Sequence, residues 1–215
     1  MYVRDIMTRE VVTVSSNSSI LTARKAMEAH KLRRLPVVDN GKLVGIVTRQ
    51  RLERVPAADK MQNVWELTYT LGSLYRTPVK QVMLKDVVTV RPDTTLEEAV
   101  ALAQSKKVGA LVVVDTGKVV GIITTNDFFY KIVNQVLGVG EPGTRIEVSQ
   151  GGEGKAMVEI ISMINKLGLK IITLHIISPP DKAVKNIVVQ VDGDNVEQLI
   201  AALRAKGHEV EVRKR

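Results

Sequence analysis

Gly121-Ile122-Ile123-Thr124 runs directly into Thr125-Asn126-Asp127, and this short stretch holds the residues of the chain best suited to chemistry. A strand that ends in Gly-x-x-Thr and turns into a helix offers backbone N–H groups and a hydroxyl at the helix N-terminus, where anions are favoured. Three residues beyond Thr124, the Asp127 carboxylate offers several lone pairs, enough to accept from both hydroxyls of a ribose. The same spacing also suits a helix cap, in which Thr124 and Asp127 satisfy the first backbone N–H groups. The chain carries its own control: Gly45-Ile46-Val47-Thr48 repeats the motif, but Arg51 stands where the acid would be. An acid needed only for folding would be needed in both places, which favours ligand recognition at Asp127.

The motif recurs because the segment that carries it recurs. Val3 to Leu52 lies over Val79 to Phe128 at a constant offset of 76 residues without a gap, and 18 of the 50 paired positions are identical. A tandem repeat of this length is a structural unit, and two copies fold into a pseudo-symmetric pair with clefts between them. Each copy reads strand, helix, strand, strand, helix. In the second, Val87–Val90 predicts a strand, Thr94-x-x-Glu97 a capping box, and Leu96, Ala99, Val100 and Ala103 the inner face of a helix ending near Val108-Gly109. Ala110–Asp115 and Lys118–Thr124 predict a hairpin around Thr116-Gly117, and a last helix begins near Asn126. The first copy repeats this order, with Ile20, Ala23, Ala26 and Met27 inward and Asn40-Gly41 at the hairpin turn. Between the copies, Val64, Trp65, Leu67, Leu71 and Leu74 predict a connecting helix over Ala57–Tyr75, ended by Thr77-Pro78.

With 215 residues, 45% of them hydrophobic and 25% charged, the chain buries real cores and suits two small domains. No apolar run approaches the roughly 18 residues needed to span a bilayer. The N-terminus, with Arg4, Asp5, Arg9 and Glu10, lacks the apolar stretch of a secretory signal, so a cytoplasmic protein without membrane association is expected. The absence of cysteine removes disulfides, thiolate zinc sites and cysteine nucleophiles together. A net charge of +8 favours anionic partners without distinguishing nucleotide, nucleic acid or acidic protein.

Three phrases carry a family resemblance: Asp5-Ile6-Met7-Thr8, Leu35-Pro36-Val37-Val38-Asp39, and Gly121-Ile122-Ile123-Thr124-Thr125-Asn126-Asp127. Residues 1 to about 135 resemble a CBS-domain pair, the Bateman module that senses adenine nucleotides. The resemblance divides the chain into a first CBS motif over 1–56, a linker over 57–78 and a second motif over 79–137. It implies that the Thr-x-x-Asp segment of one motif faces the first strand, and the start of the second, in the other. Ile122, Thr124 and Asp127 would then meet Met7 and Val12 as apolar adenine walls, with Leu32, Arg33 and Arg34 on the opposite rim. Adjacent arginines suit phosphate. The reciprocal cleft, with Thr48, Arg51 and Val108-Gly109-Ala110, lacks both the ribose acid and the phosphate-binding cations. One site per chain for AMP, ADP or ATP follows, as a regulatory ligand and not a catalytic cofactor.

Beyond Gly138-Val139-Gly140-Glu141-Pro142-Gly143 the pattern changes. Thr144–Val148 predicts a strand; Met157, Ile160, Ile161, Ile164 and Leu167 a helical stripe closed by Gly168; Lys170–Ile177 a strand with Ile172, Leu174 and Ile176 on one face. A strand over Ile187–Val191, a helix capped by Asp194 and bearing Val196, Leu199, Ile200 and Leu203, and a strand at Val210 and Val212 complete βαββαβ, the order of a ferredoxin-like plait. Residues 144–215 resemble an ACT domain, a small amino-acid-sensing and dimerising module. The expected fold is α+β: a CBS pair of β-α-β-β-α repeats followed by a ferredoxin-like ACT domain, similar across its length to the acetoin-utilisation protein B family. Of the ligand turn of ACT domains, Gly151-Gly152-Glu153-Gly154-Lys155 keeps only the glycine at Gly154 clearly; Gly152 and Gly154 are the candidate residues there, and dimerisation is the simpler role. A homodimer is expected, with an unidentified regulated protein as a further partner.

An enzyme is not expected. His30, His175 and His208 have no sequence-level partners for a triad or metal cluster, so no catalytic or metal-binding residue is assigned. Two other classes compete with nucleotide sensing. Arg24, Lys25, Lys31, Arg33, Arg34, Arg49, Arg51 and Arg54, with Arg213-Lys214-Arg215, would suit nucleic acid, but aromatics at 3% are too few for stacking platforms. A purely structural oligomerisation protein with empty clefts is the third reading.

Overall fold

Asn40-Gly41 and Thr116-Gly117 reverse the chain through the left-handed region, with φ of 51° and 78° in the first pair and 46° and 79° in the second. Two successive positive φ angles match the twist of the strands they join. In the computed structural model, which describes residues 1–54, 72, 75–180 and 183–214, these turns close two antiparallel hairpins. One pairs β1 (Arg34–Asp39) with β2 (Lys42–Thr48), the other β4 (Ala110–Asp115) with β5 (Lys118–Thr124). The hairpins meet through Lys42 and Lys118, and β3 (Thr89–Val90) runs parallel to β4, giving the order β1-β2-β5-β4-β3. The chain forms two units, Met1–Phe128 and Phe129–Arg215.

In the first unit, α1 (Val3–Ile6) precedes α2 (Ile20–Ala29), and α3 (Arg49–Glu53) follows β2. Ile20, Ala23 and Met27 of α2 pack with Leu35, Val37, Val47 and Leu52. In the second repeat, α4 (Leu96–Ser105) and α5 (Thr125–Asp127) take the corresponding places; a π-helical turn over Phe128–Val133 and α6 (Asn134–Leu137) continue the chain.

Several local expectations shift. The capping box of α4 is Thr95 with Glu98, one residue later than expected, because the Thr94 hydroxyl accepts from Arg91 N–H and closes the preceding turn. The first strand of each repeat is shorter than its β-branched run. Only Thr89–Val90 pairs in the second copy, and in the first Val14 alone bridges Val37. The Asp39 carboxylate, accepting from Ser15 Oγ at 2.8 Å and Ser16 N–H at 3.0 Å, holds the chain in a turn just after Val14. The connecting helix expected over Ala57–Tyr75 lies outside the described residues, apart from residues 72 and 75.

The second unit runs β6 (Thr144–Val148), α7 (Gly154–Lys166), β7 (Lys170–Ile177), β8 (Asn186–Asp192), α8 (Val196–Ala205), β9 (Val210–Lys214). Its antiparallel sheet has the order β7-β8-β6-β9. Ile160 and Ile164 of α7 and Leu199, Ile200 and Leu203 of α8 bury against Ile146, Val148, Ile187, Val189 and Val191. A bulge between Ile171 and Thr173 breaks the alternation expected for β7, so Ile171 and Leu174, not Ile172 and Leu174, pack on this core. The residue at the α8 N-terminus is Asn195 and not Asp194; its amide donates to the Leu167 carbonyl at 3.0 Å, tying the two helix ends together.

Candidate functional site: a cleft between the repeats

Each repeat lends its first segment to the other. Val3 N–H donates to the Thr94 carbonyl at 2.9 Å, and Val79 N–H donates to the Ser18 carbonyl at 2.8 Å. Thr8 then bridges Ile122, and Leu84 bridges Ile46, each 76 residues on in both partners. Glycine in the Gly-Ile-x-Thr motif makes the exchange possible. A β-carbon on Gly121 would lie 2.5 Å from Met7 Sδ, and one on Gly45 would lie 2.7 Å from Met83 Sδ and 2.9 Å from the Leu84 carbonyl oxygen. Thr124 and Thr48 therefore end their strands beside the first segment of the opposite repeat.

A cleft of about 630 Å³ opens along one of these junctions. Val12, Leu32, Arg33, Arg34, Ile122, Thr124 and Asp127 all line it. Met7 does not; its thioether packs on Gly121 instead. Thr8, Glu10, Val11, His30, Lys31, Pro36, Thr125 and Asn126 complete the lining. The sequence does not assign these to the cleft, although each stands within a few positions of a residue that it does.

The capping and ligand readings of Thr124-x-x-Asp127 meet in one carboxylate. Asp127 Oδ2 accepts from Thr124 N–H at 2.9 Å and from Thr124 Oγ1 at 2.7 Å, while Asp127 N–H donates to Thr124 Oγ1 at 3.4 Å. A carboxylate offers about four lone-pair sites, so capping and ligand binding are compatible at one residue. In the first repeat Arg51 N–H still donates to Thr48 Oγ1, at 3.3 Å, but the Arg51 guanidinium crosses to the Val82 carbonyl at 3.2 Å. The side chain that replaces the acid thus reaches the exchanged segment of the other repeat.

The opposite rim is cationic. Arg34 is half-buried, with its guanidinium so close to Gly109 that a β-carbon there would meet Nη2 at 2.5 Å. Burial lowers the Arg34 pKa, and the charge of Arg33 beside it adds to the effect. The guanidinium nevertheless remains charged at neutral pH. Among the described residues, neither arginine forms an ion pair. Two like charges, one partly desolvated, are arranged to favour an anion.

Elsewhere the candidates have structural duties. Gly152 N–H donates to the Lys185 carbonyl at 2.8 Å, and a β-carbon at Gly152 would lie 2.8 Å from that oxygen. Gly154 opens α7 with φ of 61°. His208 Nε2 lies 3.5 Å from Glu159 Oε2, a partner that the sequence did not reveal. Among the described residues, no group of three or more His, Asp or Glu side chains could hold a metal ion, and no helix is long and apolar enough to cross a membrane.

Residues 3–57 and 79–134, more than half of the chain, match the CBS domain. The chain belongs to the CBS-domain family. Its CBS pair is similar to a putative acetoin utilization protein (AcuB) from Vibrio cholerae, at 33% identity and a TM-score of 0.53, covering 66% of this chain and 96% of that one. It is also similar to the CBS domain pair of protein MJ0100, solved in complex with 5-methylthioadenosine and S-adenosyl-L-methionine, at 28% identity and a TM-score of 0.50 over 61% of this chain and 98% of that one. Inosine-5'-monophosphate dehydrogenase of Korarchaeum cryptofilum is 38% identical over 124 residues, 57% of this chain and 22% of the enzyme. The chain spans less than half the length of the first curated relatives it matches. The fold is mixed α+β, with a second sheet after the CBS pair.

Proposed function

We propose that the protein is a regulatory sensor that binds one adenine nucleotide per chain, AMP, ADP or ATP, in the cleft between its CBS motifs. The observation that carries this reading is the pairing, across one cleft, of the Thr124–Asp127 cap with the Arg33–Arg34 rim. Asp127 accepts from the ribose hydroxyls, Ile122 and Val12 flank the base, and Arg33 and Arg34 hold phosphate. The complex of MJ0100 with adenosyl ligands supports an adenosine-containing class. The reciprocal junction, where Arg51 turns to Val82, is left without a nucleotide.

We further read residues 144–215 as an ACT-like, ferredoxin-like domain. Its βαββαβ order and its sheet order, with the first strand between the third and fourth, support that reading. Its role is pairing two chains, with amino-acid sensing at Gly152 and Gly154 secondary because both glycines already serve the backbone. A nucleotide that binds two arrangements of the dimer unequally would shift their populations and so regulate a partner protein.

Isothermal titration with AMP, ADP, ATP and adenosine tests the nucleotide reading, alongside a nonspecific DNA duplex at several salt concentrations. One saturable nucleotide site per chain is expected. Duplex binding that weakens steeply with salt, without nucleotide binding, would instead favour nucleic acid; binding of neither would favour a structural module.

A further inference from the structure

The second repeat lacks part of a core that the first repeat fills. In the first, Met27 of α2 is 2% exposed and Leu52 1% exposed, and both pack with Leu35 and Val47. The corresponding positions, 76 residues on, hold Ala103, Phe128, Leu111 and Ile123. The change from Met to Ala removes every side-chain atom beyond the β-carbon, and Phe128 stays only half-buried. What remains is a cavity of about 340 Å³ walled by Ala103, Val108, Leu111, Ile123 and Phe128. Leu102, larger than its counterpart Ala26, does not refill it, because Leu102 lines a different cleft beside Thr89–Arg91. An apolar space of this kind lies at the lower end of small-molecule pocket sizes, and left empty it forfeits dispersion contacts. The lining residues that reach solvent include Gln104 and Lys107, with Lys106 alongside, so its exposed side is cationic.

We propose that this cavity binds a small aliphatic carboxylate, its hydrocarbon chain against Ala103, Leu111, Ile123 and Phe128 and its carboxylate at Lys107. The site is distinct from the nucleotide cleft, although Thr124 and Thr125 line both. It does not depend on nucleotide binding.

Isothermal titration of the full chain with n-alkanoates from butanoate to decanoate provides the test. Affinity is expected to rise about fourfold per added methylene until the cavity is full, and then to level off. Ala103→Met and Val108→Leu each restore the residue of the first repeat and are expected to weaken octanoate at least tenfold, with melting curves establishing that each variant folds. Lys107→Gln should weaken octanoate and leave 1-octanol unchanged. The proposal is overturned by the absence of saturable octanoate binding to the unmodified protein, by affinity that does not change with chain length, or by binding that survives both filling substitutions.

Discussion

Asp127→Ala separates the capping contacts made by this carboxylate from the ribose recognition proposed for it. As a cap, Asp127 Oδ2 holds Thr124 N–H at 2.9 Å and Thr124 Oγ1 at 2.7 Å on a half-buried helix start. Losing that cap is expected to cost about 1 kcal/mol. For a unit of this size this corresponds to roughly 3–5 °C in melting temperature. As a ribose acceptor, Asp127 would contribute a charge-assisted contact of about 1.5–3 kcal/mol, roughly a ten- to hundredfold effect on nucleotide affinity. Calorimetric titration and ligand-free melting, run on the same variant, report the two effects independently. Asp127→Arg, which copies the residue at position 51, sharpens the comparison, because the first repeat folds with arginine there. A variant that melts lower yet binds ATP with unchanged affinity would refute the ligand role and leave Asp127 as a cap alone.

Arg33→Ala and Arg34→Ala are each expected to weaken ATP and AMP about tenfold or more while leaving adenosine little changed, since charge-assisted contacts to phosphate are lost; equal losses for nucleotide and nucleoside would mean a damaged cleft. Gly121→Ala should destabilise the first unit by about 1–3 kcal/mol in denaturant unfolding, and Gly45→Ala by more, because the added carbon would press on the Leu84 backbone oxygen as well as on the flexible Met83 thioether. Hydrogen bonds from Ser16, then from Ser15, hold the Asp39 carboxyl below its usual pKa. Its contribution is therefore present above about pH 4 and lost as pH falls through the lowered value, so the melting gap between the unmodified chain and Asp39→Asn should be widest at neutral pH and narrow in acid. Light scattering is expected to find a homodimer for the full chain; a monomer at micromolar concentration would exclude the pairing role proposed for residues 144–215.

What the sequence made legible was local. Asn40-Gly41 announces its hairpin because few residue pairs tolerate two positive φ angles, Thr116-Gly117 does so through its glycine and its place in the repeat, and the helix stripes of the second unit follow from period alone. The errors fall where a neighbour decides. Thr94 and Thr95 fit a capping box equally well by spacing with Glu97 or Glu98, and only the Arg91 turn assigns Thr94 elsewhere. The alternation of Lys170–Ile177 is regular in the sequence, whereas the bulge beside Ile172 appears only through pairing with β8. Among the site residues, Arg33, Arg34, Thr124 and Asp127 carry a chemical signature. Met7 was expected at the base, but its place is set by a glycine 114 positions away in sequence, a contact that no local pattern encodes.

The inequality of the two clefts follows from a contact between the repeats. Arg33 of the first repeat corresponds to Gly109 of the second, and the Arg34 guanidinium lies against Gly109. An arginine at 109 would bring a further positive charge to a place where Arg34 is already partly desolvated and opposed by Arg33. Two like charges about 4 Å apart repel by about 4 kcal/mol at the effective dielectric of such a site. The contact of Arg34 with Gly109 therefore disfavours a larger, cationic residue at 109. On the proposed reading the reciprocal cleft, with Gly109 and Ala110 at the positions of Arg33 and Arg34, holds no nucleotide, and an acid at position 51 would have no ribose to recognise. Arg51 can then bond the Val82 carbonyl, which closes the exchanged segment onto its neighbour. Gly109 thus leaves room for the Arg34 guanidinium, and Arg51 bonds the exchanged segment where Asp127 caps its own helix, so the two clefts differ at both the rim and the helix start.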